Sequence, residues 1–236
     1  MATLTTDPKI LLLAFLGGVI PSLLWLWFWL KEDEIHPEPK LFLTLVFIMG
    51  MIAVVIVFPI QKFIQTHVSG ENWQLILWAG AEEVLKYLAV IIILYKTHNA
   101  NEPIDWPIYL ITAALGFATL ENTLYLIKPL SISGTTVSLL TGQLRFLGST
   151  LLHTIASGTI GIFIGISFFM REFKKVWFLL FGFLAAIALH SAFNFFIIKN
   201  EGNDFLKVFA FLWVVTIIVM LLFEKVRRMS ETIEKS

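Results

Sequence analysis

The feature that leaves this chain least freedom is a succession of long apolar runs, almost free of charge, separated by short polar breaks. A bilayer core takes roughly 20 helical residues to cross, and runs of that length specify spanning helices. We place seven, at 10–30, 41–60, 73–95, 108–127, 146–169, 176–198 and 205–223. The expected fold is therefore all-α, a polytopic membrane helix bundle of about seven transmembrane helices. The gaps leave no room for a soluble domain. With no fixed-period repeat and no linker rich in Gly, Ser or Pro, residues 1–236 read as one integral-membrane unit, with its polar core at 73–198.

Composition agrees: 58% of residues are hydrophobic and only 14% charged, with a mean hydropathy of +0.84, outside the balance of soluble domains. The formal charge is zero, from 17 basic and 17 acidic residues, which gives no support for a nucleic-acid partner. Cysteine is absent, which excludes disulfides, thiolate metal sites and cysteine nucleophiles. The first run, with Pro21 and a Trp25, Trp27, Trp29 cluster, lacks a small-residue cleavage site and reads as a retained helix anchored at an interface. The break 31–40 is charged and contains Pro37 and Pro39, so it is expected to stay in water, and the second span to end near Pro59. The stretch 128–145, rich in Ser, Thr and Gly, is long for a bundle connection and suggests a cover or a partly re-entrant segment. The tail from Glu224 reads as a solvated end.

Seven spans put the termini on opposite sides. Breaks one, three and five with the tail contain ten Lys and Arg residues, against six on the other side and at its helix mouths. The positive-inside rule then places the protein in the cell membrane with its N-terminus extracytoplasmic and its C-terminus cytoplasmic.

Apart from Lys207 at a helix mouth, the charged or imidazole side chains within the predicted spans are Glu82, Glu83, Lys86, Glu121, His153 and His190. A charge at the bilayer centre costs about 2.5 to 3.5 kcal/mol on insertion scales, so apolar packing alone does not account for them. Counted from the same side, Glu82 lies 9 residues after Trp73, Glu121 lies 6 before Ile127, His153 lies 7 after Phe146, and His190 lies 8 before Ile198. At about 1.5 Å per residue these groups share one layer, roughly 10 to 15 Å below the outer surface. Glu82 and Glu83 stand four and three residues before Lys86, within reach of its ammonium. One lysine cannot neutralise three carboxylates. The excess of like charge in a low dielectric suits one of them to exchange a proton with water as general acid or base. His190 and Asn194, at i and i+4, can present donors to a developing oxyanion.

Simpler readings exist for each group. An intramembrane histidine bridges helices as readily as it catalyses, and asparagine is a common interhelical glue. Lys86 reads as a structural counter-ion under any function. Several chemistries fall away: no Asp lies in a span, HExxH is missing, and IASG around Ser157 lacks the GxSG of membrane serine proteases.

EEVLK (82–86) matches EExxK, FATLEN (117–122) matches FxxxEN, and His153 with HSAFN (190–194) completes a set of four motifs in order on four successive spans. In these the chain resembles the PrsW family of intramembrane proteases, relatives of the CAAX prenyl endopeptidases and bacteriocin-processing membrane proteins. The CAAX branch has EExxxR and FxxxH, whereas this chain has Lys one position earlier and FxxxE. The resemblance implies cleavage of a membrane-associated protein or peptide, such as an anti-sigma factor or similar regulator, within the bilayer. It implies a catalytic set of Glu82, Glu83, Glu121, His153, His190 and Asn194, with Glu82 activating water, His190 and Asn194 stabilising the oxyanion, and Phe117 and Asn122 supporting. The expectation placed first is a glutamate-activated water with no cofactor. A zinc ion held by His153, His190 and a Glu, with one open position, is the alternative. A non-enzymatic proton-coupled transporter is a third reading.

Overall fold

A computed structural model describes residues 7–31, 37–95, 97, 99–132, 145–199 and 205–234. Among the described residues there are seven α-helices: α1 Pro8–Leu30, α2 Lys40–His67, α3 Glu71–Leu94, α4 Asp105–Ile132, α5 Leu151–Ile166, α6 Glu172–Lys199 and α7 Phe205–Glu234. A π-helical turn, Arg145–Thr150, leads into α5. The all-helical membrane bundle expected from the apolar runs is what forms. Six helices are long and apolar enough to cross a bilayer. The other, α3, is of similar length but carries Glu82, Glu83 and Lys86 in its middle.

Local signals explain the helix ends. Asp7 caps α1 by accepting the Lys9 amide at 2.9 Å, with Pro8 in the first turn, where no amide donor is needed. Gly70, at φ +94°, makes the reversal between α2 and α3 in a backbone region that few other residues enter. Asp105 starts α4 and accepts the amides of Asn101 and Glu102 at 2.8 and 2.7 Å, which folds the incoming chain over the helix end.

The bundle is layered around α4 and α5. In each, 78% of the spanning window is buried, against 17% in α1 and 28% in α6, whose outward faces are fit for lipid. Helices have no hydrophobic drive to associate in lipid, so close approach must come from small residues. At the α2–α4 crossing an added Cβ at Gly50 would stand 2.1 Å from the Ala113 carbonyl oxygen, and one at Gly116 would stand 2.0 Å from that of Phe47. Each glycine thus receives the backbone of the opposite helix. Hydroxyls in the core are satisfied locally: Thr112, Thr119, Thr123, Thr154 and Thr159 each donate to the carbonyl four residues back.

Three sequence expectations need correction. First, α2 does not end at Pro59 but continues to His67. The proline removes one backbone bond, a loss tolerated inside a bundle. Second, break 31–40 is not wholly in water, because Glu38 is buried and accepts a hydrogen bond from the buried Tyr109 hydroxyl of α4. Third, the tail is not a solvated end. Helix α7 runs on to Glu234, Val226 is fully buried in the core, and the Ser230 hydroxyl accepts the Ile104 amide at 3.2 Å. As for the cover expected at 128–145, α4 takes up its first residues through Ile132, and 133–144 lie outside the described residues.

Candidate active site

Helices α3, α4, α5 and α6 bring Glu82, Glu83, Lys86, Glu121, His153 and His190 into one contiguous polar cluster. Glu83 and Lys86 are wholly buried and form an ion pair at 2.7 Å. The same Glu83 oxygen meets His190 Nδ1 at 3.0 Å, and its other oxygen accepts from the Ser157 hydroxyl at 2.5 Å. Lys86 also reaches His153 Nδ1 at 2.8 Å and lies 4.5 Å from the centre of the Phe117 ring. His153 Nε2 meets Glu121 at 3.0 Å, and Ser149 donates to the same Glu121 oxygen at 3.3 Å.

The two carboxylates of the EE pair are used differently. The sequence allowed both to reach Lys86, but only Glu83 forms an ion pair with it. Side chains at successive helix positions diverge by about 100°, so the neighbours cannot share all partners. Glu82 turns towards α2, where its Oε1 accepts from the Gln61 amide at 2.8 Å. Its Oε2 is buried, has no hydrogen-bond partner, and faces His190 Nε2 at 3.5 Å and His153 Nδ1 at 4.0 Å.

An ionised carboxylate can only accept a hydrogen bond. With both carboxylates ionised, the contact to Glu83 puts the proton of His190 on Nδ1, and that to Glu121 puts the proton of His153 on Nε2. This leaves a lone pair on His190 Nε2, 3.5 Å from Glu82 Oε2, and one on His153 Nδ1, which faces Lys86 Nζ at 2.8 Å and Glu82 Oε2 at 4.0 Å. The imidazoles stand nearly perpendicular, with centroids 5.0 Å apart. Among the described residues, one oxygen of Glu82 and one nitrogen each of His153 and His190 lie within 4.8 Å of one another, close enough to converge on one metal ion. Two neutral imidazoles and a carboxylate, with each imidazole backed by a second carboxylate, form a donor set suited to zinc. With the bare Glu82 oxygen, the residues fit a divalent metal.

Of the remaining expected residues, Asn122 donates to Thr150 at 2.9 Å and ties α4 to the π-helical turn. Phe117 lies beside His153 with its ring tilted by 57° and centroids 5.3 Å apart. Asn194, one turn beyond His190, is half-buried, and its side chain makes no hydrogen bond among the described residues. Sequence reasoning missed Gln61 and the role of Ser157. Ser157 follows His153 by four residues, so helical periodicity already placed it on that face. Gln61 gave a weaker signal, an amide in an apolar run just past Pro59.

Three carboxylates and two imidazoles enclosed in one layer of a membrane bundle are the groups an intramembrane hydrolase would use. The profile of the PrsW family, described as intramembrane metalloproteases, matches residues 38–223. Protease PrsW of Geobacillus kaustophilus is 30% identical over 192 residues, covering 78% of this chain and 80% of that protein. Protease PrsW of Bacillus subtilis is 29% identical over 206 residues, covering 84% and 89%. No solved structure matches the chain. The chain belongs to the PrsW family and is a multi-pass intramembrane protease. That membership sets aside the non-enzymatic transporter reading.

Proposed function

We propose that this protease hydrolyses a peptide bond of a membrane-tethered protein with a divalent metal, zinc by the chemistry of the donors, held by Glu82, His153 and His190. The observation that carries the reading is the bare, buried Glu82 Oε2 facing two imidazole nitrogens whose opposite ring positions are engaged by carboxylates. When bound, such a metal supplies Lewis-acid polarisation and an acidified water. The chain's own residues do the rest. Glu83 and Glu121 fix the tautomers and ring planes of His190 and His153. Lys86 offsets the charge of Glu83, and Ser157 occupies that carboxylate's second oxygen. Asn194 offers its side-chain amide to the oxyanion of the tetrahedral intermediate, which moves His190 from the oxyanion role to that of a ligand. The seven helices act as one unit around this layer.

A second reading rests on one specific distance. Lys86 Nζ lies 2.8 Å from His153 Nδ1, the lone pair a metal would take. In a metal-free mechanism Lys86 keeps that position, and Glu82 Oε2 takes the proton from the attacking water. Metal stripping of the purified protein separates the two. The metal reading expects cleavage of a reconstituted membrane peptide to stop and to return on adding Zn²⁺, whereas undiminished cleavage after verified removal establishes the glutamate version. Glu82→Gln is expected to abolish turnover under both, and full activity in that variant ends both.

The topology proposed from the Lys and Arg distribution puts the layer in the extracytoplasmic half of the bilayer. A single-span protein cut near its outer end, such as an anti-sigma factor or similar regulator, is the substrate class this depth and the family resemblance suggest. Accumulation of the uncut regulator in cells carrying Glu82→Gln, with none in wild type, is the expected result.

A further inference from the structure

Gln61 belongs to none of the four motifs, yet its side-chain amide holds one oxygen of Glu82. It sits on α2 two residues beyond Pro59, in the stretch of helix that continues past the proline. Its position is held from the backbone, since its main-chain carbonyl accepts the Trp78 indole N–H of α3 at 3.1 Å. Its side-chain amide donates to Glu82 Oε1 at 2.8 Å. Among the described residues that is the one hydrogen bond Glu82 makes, and Oε2 is left bare between His153 and His190. A carboxylate free at both oxygens can rotate and present either or both to a ligand. One tethered through Oε1 presents Oε2 alone, in a fixed direction. Such outer partners of a metal ligand are worth about 10- to 100-fold in metal affinity.

We infer that Gln61 is a positioning residue of this protease, which anchors one oxygen of Glu82 so that the other is delivered alone to the site formed with His153 and His190. The inference rests on the metal reading proposed above. It adds a fifth contributing helix, α2, to the machinery carried by α3–α6.

The test uses the full-length protein in lipid nanodiscs, stripped of metal and titrated with Zn²⁺ against a competing chelator. Gln61→Met, which keeps the volume and loses the donor, is compared with Gln61→Ala, Glu82→Gln and the double variant Gln61→Met/Glu82→Gln. A folded sample of either Gln61 variant is sufficient. The expected result is zinc binding weakened about tenfold or more by Gln61→Met, with no further loss when it is added to Glu82→Gln, because Gln61 acts through Glu82. On a membrane peptide, kcat is expected to fall with KM nearly unchanged, since Gln61 holds a site residue and not the substrate. Native zinc affinity in Gln61→Met alongside weakened binding in Glu82→Gln overturns the role of Gln61 and leaves the metal site standing. An additive loss in the double variant also overturns it, by showing a general structural effect. Native zinc affinity in Glu82→Gln overturns the metal site itself.

Discussion

Lys86 is surrounded by groups that need its charge. Its ammonium is wholly buried, 2.7 Å from Glu83 and 2.8 Å from His153. Removing one member of a buried ion pair strands the other and costs about 3–5 kcal/mol. Lys86→Met is therefore expected to lower thermal stability of the metal-free protein by about that amount, followed by circular dichroism or intrinsic fluorescence. A shift of a few tenths of a kcal/mol would show that His190 and Ser157 suffice to hold Glu83. At this scale the sequence disclosed which residues meet but not how they pair. Spacing placed Glu82, Glu121, His153 and His190 at one depth, and the structure joins them. The choice between Glu82 and Glu83 as partner of Lys86 turned on side-chain direction and on Gln61 of another helix, neither of which is encoded in the spacing of EExxK.

The helices themselves were easier to read, because a spanning run must be apolar through most of its length and breaks are short. Pro59 misled for an intelligible reason: in water a proline inside a helix costs about 3 kcal/mol, whereas in a bundle neighbouring groups re-satisfy the backbone. What that reading lost was the last two turns of α2, and with them Gln61. The α2–α4 crossing is set by Gly50 and Gly116, each against the opposite backbone. Gly116→Val should force the helices apart and lower stability by about 3 kcal/mol, the upper range for overpacking. Gly80→Ala, whose Cβ would rest 3.6 Å from Ile187 Cδ1, an ordinary contact, serves as the control and should be neutral. Equal melting temperatures for Gly116→Val and wild type would remove the crossing from the list of determinants.

For the molecule as a whole, the depth read from sequence spacing sets the proposed active layer nearer one membrane face than the other, and on that reading orientation decides which compartment supplies the water. The absence of cysteine makes this directly measurable. Single cysteines replacing the exposed Lys9 and Lys225, at opposite ends of the bundle, should differ in intact cells: an impermeant maleimide labels Lys9→Cys at once and Lys225→Cys only after lysis. The opposite pattern would move the chemistry to the cytoplasmic half. The turns of α7 beyond the apolar run have a practical bearing on such work. Val226 sits in the core and Ser230 accepts the amide of Ile104, next to the start of α4, the helix that bears Glu121. A protein trimmed at Phe223 therefore gives up a strap that secures the start of α4, and should melt earlier although no hydrophobic span has been shortened. Reporters and affinity handles joined at the C-terminus belong after Glu234.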